Sequence, residues 1–268
     1  MSSSASLMDG KRGLVLGVAN DHSIAWGIAS ALHAHGATLA FTYQNDAFAR
    51  RVVPLAESLG AAAVLECDVE SDAALDAAFA VLEKKWGGLD FVVHSLAYSA
   101  KEELNGSYLD TSRANFRRTL DVSCYSFTAV ARRAAALMSG GGGLVTLTYM
   151  GAERVMPHYN IMGVAKAALE ASVRYLAADL GKRDIRVNAI SAGPMRTLAG
   201  SAIGGARQTF RRSEQYSPLR RNARLDQVGN AALYLLSDLS RGVTGEVLHV
   251  DSGYNVVGVP DLLRDPPE

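Results

Sequence analysis

The strongest constraint on this chain is an alternation. Seven short runs, rich in apolar and β-branched residues, fall at positions 14–16, 37–43, 63–67, 91–94, 144–148, 185–190 and 246–250. Stretches of helical composition lie between them, at 23–35, up to Trp86, 111–138, up to Gly181 and 226–237. Runs this short and this apolar suit strands covered on both faces, as parallel strands are. Right-handed strand–helix–strand crossovers then predict an α/β fold of Rossmann type. It is a doubly wound parallel sheet of about seven strands with helices on both faces. At 268 residues the chain suits one large domain.

Composition narrows the class. The chain is 49% hydrophobic and 20% charged, ordinary for a globular protein. Its formal net charge of zero argues against general binding to nucleic acid or to a membrane surface. No uncharged apolar run reaches membrane-spanning length. Cys67 and Cys124 form no metal-ligand spacing, so no metal is expected, and both read as reduced thiols of a cytoplasmic protein. Residues 1–10 lack an apolar signal core and are expected to form a loose tail. The folded domain is expected over 11–256, followed by a C-terminal tail at 257–268.

In an open parallel sheet, ligands bind beyond the carboxyl ends of the strands. Gly17, Asp68, Ser95, Tyr149 and Gly193 all follow strands and should converge there. Gly17 would let the backbone turn close to a pyrophosphate. The first amides of the next helix, near Ser23 and Ile24, would bind its charge, with the Ser23 hydroxyl adding a donor. The pattern Gly17-x5-Ser23-Ile24-Ala25-x-Gly27 differs from G-x-G-x-x-G. Gln44, after the second strand, offers hydrogen bonds but no positive charge for a 2′-phosphate, which favours NADH over NADPH. Asp68, with Val69 beside it, is placed to accept from an adenine amino group; the competing role is to cap the next helix together with Ser71. His94, at a buried strand end, reads as a packed structural histidine more readily than as a base.

The central stretch is 143–181, a strand followed by a helix rich in Ala, Leu and Lys. Tyr149, Tyr159 and Lys166 lie along it. A step of seven from Tyr159 to Lys166 is two helical turns, so both are expected on one face, where the ammonium would lower the phenol pKa.

This segment, LTYMGAERVMPHYNIMGVAKAALE, resembles the active site of short-chain dehydrogenases/reductases. Their usual spacing is Tyr-x3-Lys with an upstream Ser. Tyr-x6-Lys with an upstream Tyr is similar to one divergent branch, the NADH-dependent bacterial enoyl-acyl carrier protein reductases. The likeness continues through RVNAISAGPMRTLA and GEVLHVDSGY and covers about residues 10–255. It implies hydride transfer from NADH to an enoyl thioester on acyl carrier protein, with Tyr149, Tyr159 and Lys166 catalytic. It also implies cofactor contacts at Ser95 and Leu96 and along Met195, Arg196, Thr197, Leu198 and Ala199. Substrate contacts are implied at Ser99, Tyr149 and Tyr159, and a homotetramer pairing partly through the long 111–138 helix.

Two rival readings remain at this stage. A short-chain alcohol dehydrogenase would want Ser at position 149 and Lys three residues nearer the tyrosine. A non-catalytic nucleotide-binding regulator would tend to lose the Tyr or the Lys. Residues 198–218, rich in Gly and Ala, are a poor sequence for a rigid helix and are expected to form a substrate lid. Between 196 and 224 stand seven arginines and one acid, Glu214, a positive surface suited to an acidic carrier.

Overall fold

The computed structural model describes residues 6–201 and 204–259. Seven parallel strands form one sheet: β1 Arg12–Leu16, β2 Thr38–Tyr43, β3 Ala63–Glu66, β4 Phe91–His94, β5 Gly142–Thr148, β6 Ile185–Ala192 and β7 Val247–Val250. Their order is β3-β2-β1-β4-β5-β6-β7. It reverses between β1 and β4, the point where such sheets open a crevice.

Alternating side chains divide the core into two layers. Leu14, Leu16, Val92, Leu144 and Val187 point to one face, under α3 (Asp72–Trp86), α6 (Ser126–Leu137) and α7 (Asn160–Gly181). Val15, Phe41, Val93, Val145 and Ile190 point to the other, under α1 (Ile24–Ala34), α2 (Asp46–Ser58) and α10 (Leu225–Leu236). The period-2 geometry of a strand makes this division, and it explains why the strands read as continuous apolar runs. The shorter helices α4 (Lys101–Leu104), α5 (Arg113–Leu120), α8 (Leu198–Ser201) and α9 (Ala206–Tyr216) lie in the connections after β4 and β6.

Several expectations are corrected. The 111–138 helix is not uniform, because a π turn over Asp121–Tyr125 joins α5 to α6. Residues 6–10 are not loose: Met8 is fully buried and its amide donates to the His35 carbonyl at 2.9 Å. Positions 1–5 and 260–268, in the expected tails, lie outside the described residues. The 198–218 segment is largely helical in spite of its glycines. Thr197 Oγ1 accepts from the Gly200 amide at 2.9 Å, and Asn222 Nδ2 donates to the Phe210 carbonyl at 3.0 Å, so α8 is capped at its start and α9 is held at its middle.

Candidate active site

All seven strands run the same way, so their carboxyl ends share one edge. Gly17, Gln44, Asp68, Ser95, Tyr149 and Gly193 follow β1, β2, β3, β4, β5 and β6 respectively and gather there. Gly17 has φ +101°, and a Cβ on it would stand 2.6 Å from the Ser95 carbonyl carbon. Only glycine fits this turn, which brings the β1 and β4 loops into contact.

The loop after Gly17 departs from the expectation in two places. Ser23 does not lend its hydroxyl outward. Its Oγ accepts from the Ala19 and Asn20 amides at 3.0 Å each and shapes the loop. No side chain caps α1, and the Trp26 amide donates to the Ser23 carbonyl at 3.0 Å, so the Ile24 and Ala25 amides are the ones left for an anion. Gly27 meets Leu225 of α10, where a Cβ would come within 2.9 Å, so its lack of a side chain serves helix packing.

At the adenosine side, Gln44 Nε2 donates to Asp68 Oδ2 at 3.2 Å. Ser71 caps α3 by accepting from the Ala74 amide, which leaves Asp68 free of that duty. Asp68 Oδ1 instead accepts from the Glu70 amide. A carboxylate paired with an amide side chain fits ribose hydroxyls and an adenine amino group, and it repels a 2′-phosphate. Val69 and Leu96, both half-buried, pack against the core beside these loops.

His94 is structural. It is fully buried, its two ring nitrogens meet Thr146 Oγ1 at 3.1 Å and Ser126 Oγ at 2.8 Å, and it stacks on Phe127 at 5.2 Å. Desolvation, then the nearby Lys166 charge, pushes its pKa down to about 3.

Lys166 joins two strand ends. Its Nζ donates to the Leu147 carbonyl at 2.8 Å and lies 3.5 Å from the Leu96 carbonyl. An ammonium has three donors, so at least one remains for a ligand. Burial lowers its pKa to about 8, against the opposing pull of Cys124 and Glu170.

The tyrosines pack edge to face, with ring centroids 5.1 Å apart at 68°. Tyr159 is buried and stands at the N-cap of α7, not inside it. His158 and Asn160, on either side, have φ of 60° and 37°. Left-handed backbone therefore aims Tyr159, and the two-turn argument does not. Gly151 makes room for it, since a Cβ there would stand 2.7 Å from Tyr159 Cε1. Asn160 holds this entry to α7 by donating to the carbonyls of Glu103, Leu104 and Gly106 at 2.9–3.3 Å. The expected lowering of the phenol pKa is also corrected. Desolvation first, then Tyr149 and Glu170, raise the Tyr159 hydroxyl, and desolvation raises Tyr149 likewise. Both tyrosines are O–H donors.

Ser99, in the loop after β4, has its Oγ accepting from Asn115 Nδ2 at 3.2 Å. Across the cleft, Met195 is packed on the core, Thr197 caps α8, and Arg196 lies over the Phe210 ring at 4.7 Å. Leu198 and Ala199 form the first turn of α8.

A family model described as enoyl-(acyl carrier protein) reductase matches residues 17–255. The chain belongs to this reductase family. Among its relatives is the enoyl-[acyl-carrier-protein] reductase [NADH] 1 of Rhizobium meliloti, 62% identical over 99% of this chain and 100% of that protein. The reductase of Anaplasma phagocytophilum, solved in complex with NAD, is 58% identical with a TM-score of 0.93, covering 96% of this chain and 98% of that one. The Bacillus cereus reductase, solved with NADP+ and indole naphthyridinone, is 49% identical with a TM-score of 0.93, over 95% and 100% of the two chains.

Residue patterns carried most of this family assignment, but they missed four positions that shape the site: Thr148, Gly151, Asn160 and Glu170. Only Gly151 and Asn160 carried a signal, as turn-forming types beside the tyrosines.

Proposed function

We infer that this chain reduces the trans-2 double bond of enoyl thioesters carried on acyl carrier protein, with NADH as reductant. This is the last reductive step of fatty acid elongation. The observation that carries the reading is the grouping of Tyr149, Tyr159 and Lys166 at the carboxyl edge of the sheet, in a chain of this family.

The residues present fit NADH. The Gly17 turn and the uncapped first turn of α1 suit its pyrophosphate, and the Gln44–Asp68 pair suits its adenosine. Ser23, Ile24, Val69, Ser95, Leu96, Met195, Arg196, Thr197, Leu198 and Ala199 would line the rest of its path. When bound, NADH supplies the hydride. Lys166 holds the nicotinamide ribose hydroxyls with its spare donor. Tyr159, kept protonated by burial, donates to the thioester carbonyl oxygen as negative charge gathers there. Tyr149 fixes the Tyr159 ring edge-on and, with Ser99, shapes the acyl site.

The helical segment 198–218 acts as the lid over this cleft. Its exposed Arg207, Arg211 and Arg212 dock the acidic carrier. Exposed Phe116, Tyr125 and Tyr175, on the α5–α7 side, supply apolar surface for a homotetramer. No helix among the described residues is long and apolar enough to cross a membrane.

The test is NADH oxidation on crotonyl against acetoacetyl thioesters. Turnover of the first alone supports the reading, and turnover of the second alone returns it to the alcohol dehydrogenases. Charge reversal at Arg211 and Arg212 should lower kcat/KM for a carrier-bound substrate, most at low salt, and spare the same acyl group on a small thiol. Equal losses on both would remove the docking role.

A further inference from the structure

One turn beyond Lys166, α7 places a second buried ionisable group. Glu170 is 8% exposed, and Thr148 Oγ1 donates to its Oε1 at 2.7 Å. Thr148 is the residue before Tyr149, and Leu147, the carbonyl partner of Lys166, is the residue before that. Consecutive residues of β5 thus bind successive turns of α7. Leu147 takes Lys166, Thr148 takes Glu170, and the chain then delivers Tyr149. Residues four apart on a helix are neighbours, about 5–6 Å between Cβ atoms, so Glu170 lies on the same face of α7 as Lys166. The hydrogen bond that holds its carboxylate comes from a neutral hydroxyl.

We propose that Glu170 is a positioning residue for the reaction, whose carboxylate, tied to Thr148, fixes α7 against the end of β5 and supplies the negative charge behind Lys166. The proposal rests on the reading of Lys166 given above. The groups facing Glu170 are Glu153, after the 3-10 turn that follows Tyr149, and His249 on β7, which pair with each other at 3.2 Å. Arg174 and Lys166 lie on its own helix, and Tyr159 stands at that helix's start. Desolvation raises the Glu170 carboxyl, and the Thr148 hydroxyl pulls it back. Lys166 gains from the arrangement: burial lowers its pKa to about 8, while Cys124 and then Glu170 pull the other way. Without that charge the ammonium would lose its proton at lower pH, inside the neutral range where the reductase must work.

The test compares Glu170→Gln with the unmodified protein across pH 6 to 9.5, reading both NADH affinity by fluorescence and kcat/KM on a crotonyl thioester. Glutamine keeps the shape and can accept from Thr148, so a purely structural role predicts superimposable pH profiles. The proposal predicts that the basic limb moves to lower pH by roughly one unit, the size expected for losing one nearby charge in a partly buried site. A second variant, Thr148→Val, removes the donor and leaves the carboxylate. With the carboxylate no longer tied at the end of β5, its support of Lys166 should weaken and the basic limb should again move to lower pH. A folded Glu170→Gln protein with an unchanged basic limb overturns the proposal. Should that variant fail to fold, an unmoved basic limb in Thr148→Val does the same. Failure of the functional reading looks different: the unmodified protein would bind NADH with a titrating limb yet oxidise none of it on an enoyl thioester.

Discussion

Gly17→Ala tests whether the turn after β1 organises the cofactor side of the site. The residue has φ +101°, a region that side-chain-bearing residues adopt at a cost of about 1–3 kcal/mol. The added Cβ would also stand 2.6 Å from the Ser95 carbonyl carbon, closer than a Cβ can approach. That neighbour is backbone and cannot swing aside. The Ser95 amide donates to the Leu16 carbonyl at 3.0 Å, and Leu16 is in register with His94 across β1 and β4. Relief therefore means pulling two loops apart at the crevice, an overpacking cost of about 1–3 kcal/mol more. For a chain of this size each kcal/mol is worth about 2–4 °C, so the melting temperature should fall by roughly 5–20 °C. NADH affinity should drop by more than about tenfold, since 1.4 kcal/mol of lost fit at the pyrophosphate is a factor of ten. Gly60→Ala is the control. It has φ +62° and open space around the Cβ, so it carries strain without a clash. Its cost should be about 1 kcal/mol, with NADH binding untouched. Scanning fluorimetry with and without NADH measures both effects. If Gly17→Ala melts within the Gly60→Ala range and binds NADH normally, the turn is not what shapes the pocket.

Tyr159→Phe should lower kcat on a small enoyl thioester by on the order of 10²-fold while the NADH Kd stays near its original value, because only one O–H donor is removed; a near-unchanged rate in stopped-flow assays would pass the oxyanion role to another group. Lys166→Ala should weaken NADH binding and turnover together, checked by fluorescence titration and steady-state rates, and full activity with unchanged affinity would refute its hold on the ribose. Gln44→Arg should raise the NADPH/NADH ratio of kcat/KM only several-fold, because the new guanidinium would pair with Asp68 at the present 3.2 Å contact. Adding Asp68→Asn should release that charge and raise the ratio about tenfold further; no change in either variant would place the 2′-phosphate pocket elsewhere.

The fold was legible because a parallel sheet leaves a plain trace. Strands covered on both faces are short apolar runs, and all seven were readable as such. Legibility fell where polar atoms or backbone angles decide the outcome. The π turn at Asp121–Tyr125 leaves no composition signal, since its residues are ordinary helix residues. The helices α8 and α9 form among glycines because Thr197 caps the first and Asn222 holds the middle of the second, contacts that override propensity. In the site, residue types were readable and their surroundings were not. The Tyr–Lys spacing suggested an ammonium beside a phenol, yet Lys166 spends its bonds on strand-end carbonyls. Desolvation, invisible in a sequence, then raises the phenol instead of lowering it.

That correction bears on how the site works. A phenol lowered toward neutrality would serve as a base, which suits removing a proton from an alcohol. Reduction of an enoyl thioester makes negative charge at a carbonyl oxygen, and what it needs is a donor already protonated and already aimed. Tyr159 meets both conditions. Burial holds its proton, and left-handed residues on either side hold its direction. Lys166, on the reading proposed above, would hold the cofactor ribose, its pKa lowered to about 8 by burial while Cys124 and Glu170 pull the other way. The wide Tyr–Lys spacing would then separate two duties. Tyr159 would donate the hydrogen bond to the oxygen, and Lys166 would hold the cofactor, with Glu170 proposed to keep that ammonium charged across the pH range in which the phenol remains neutral.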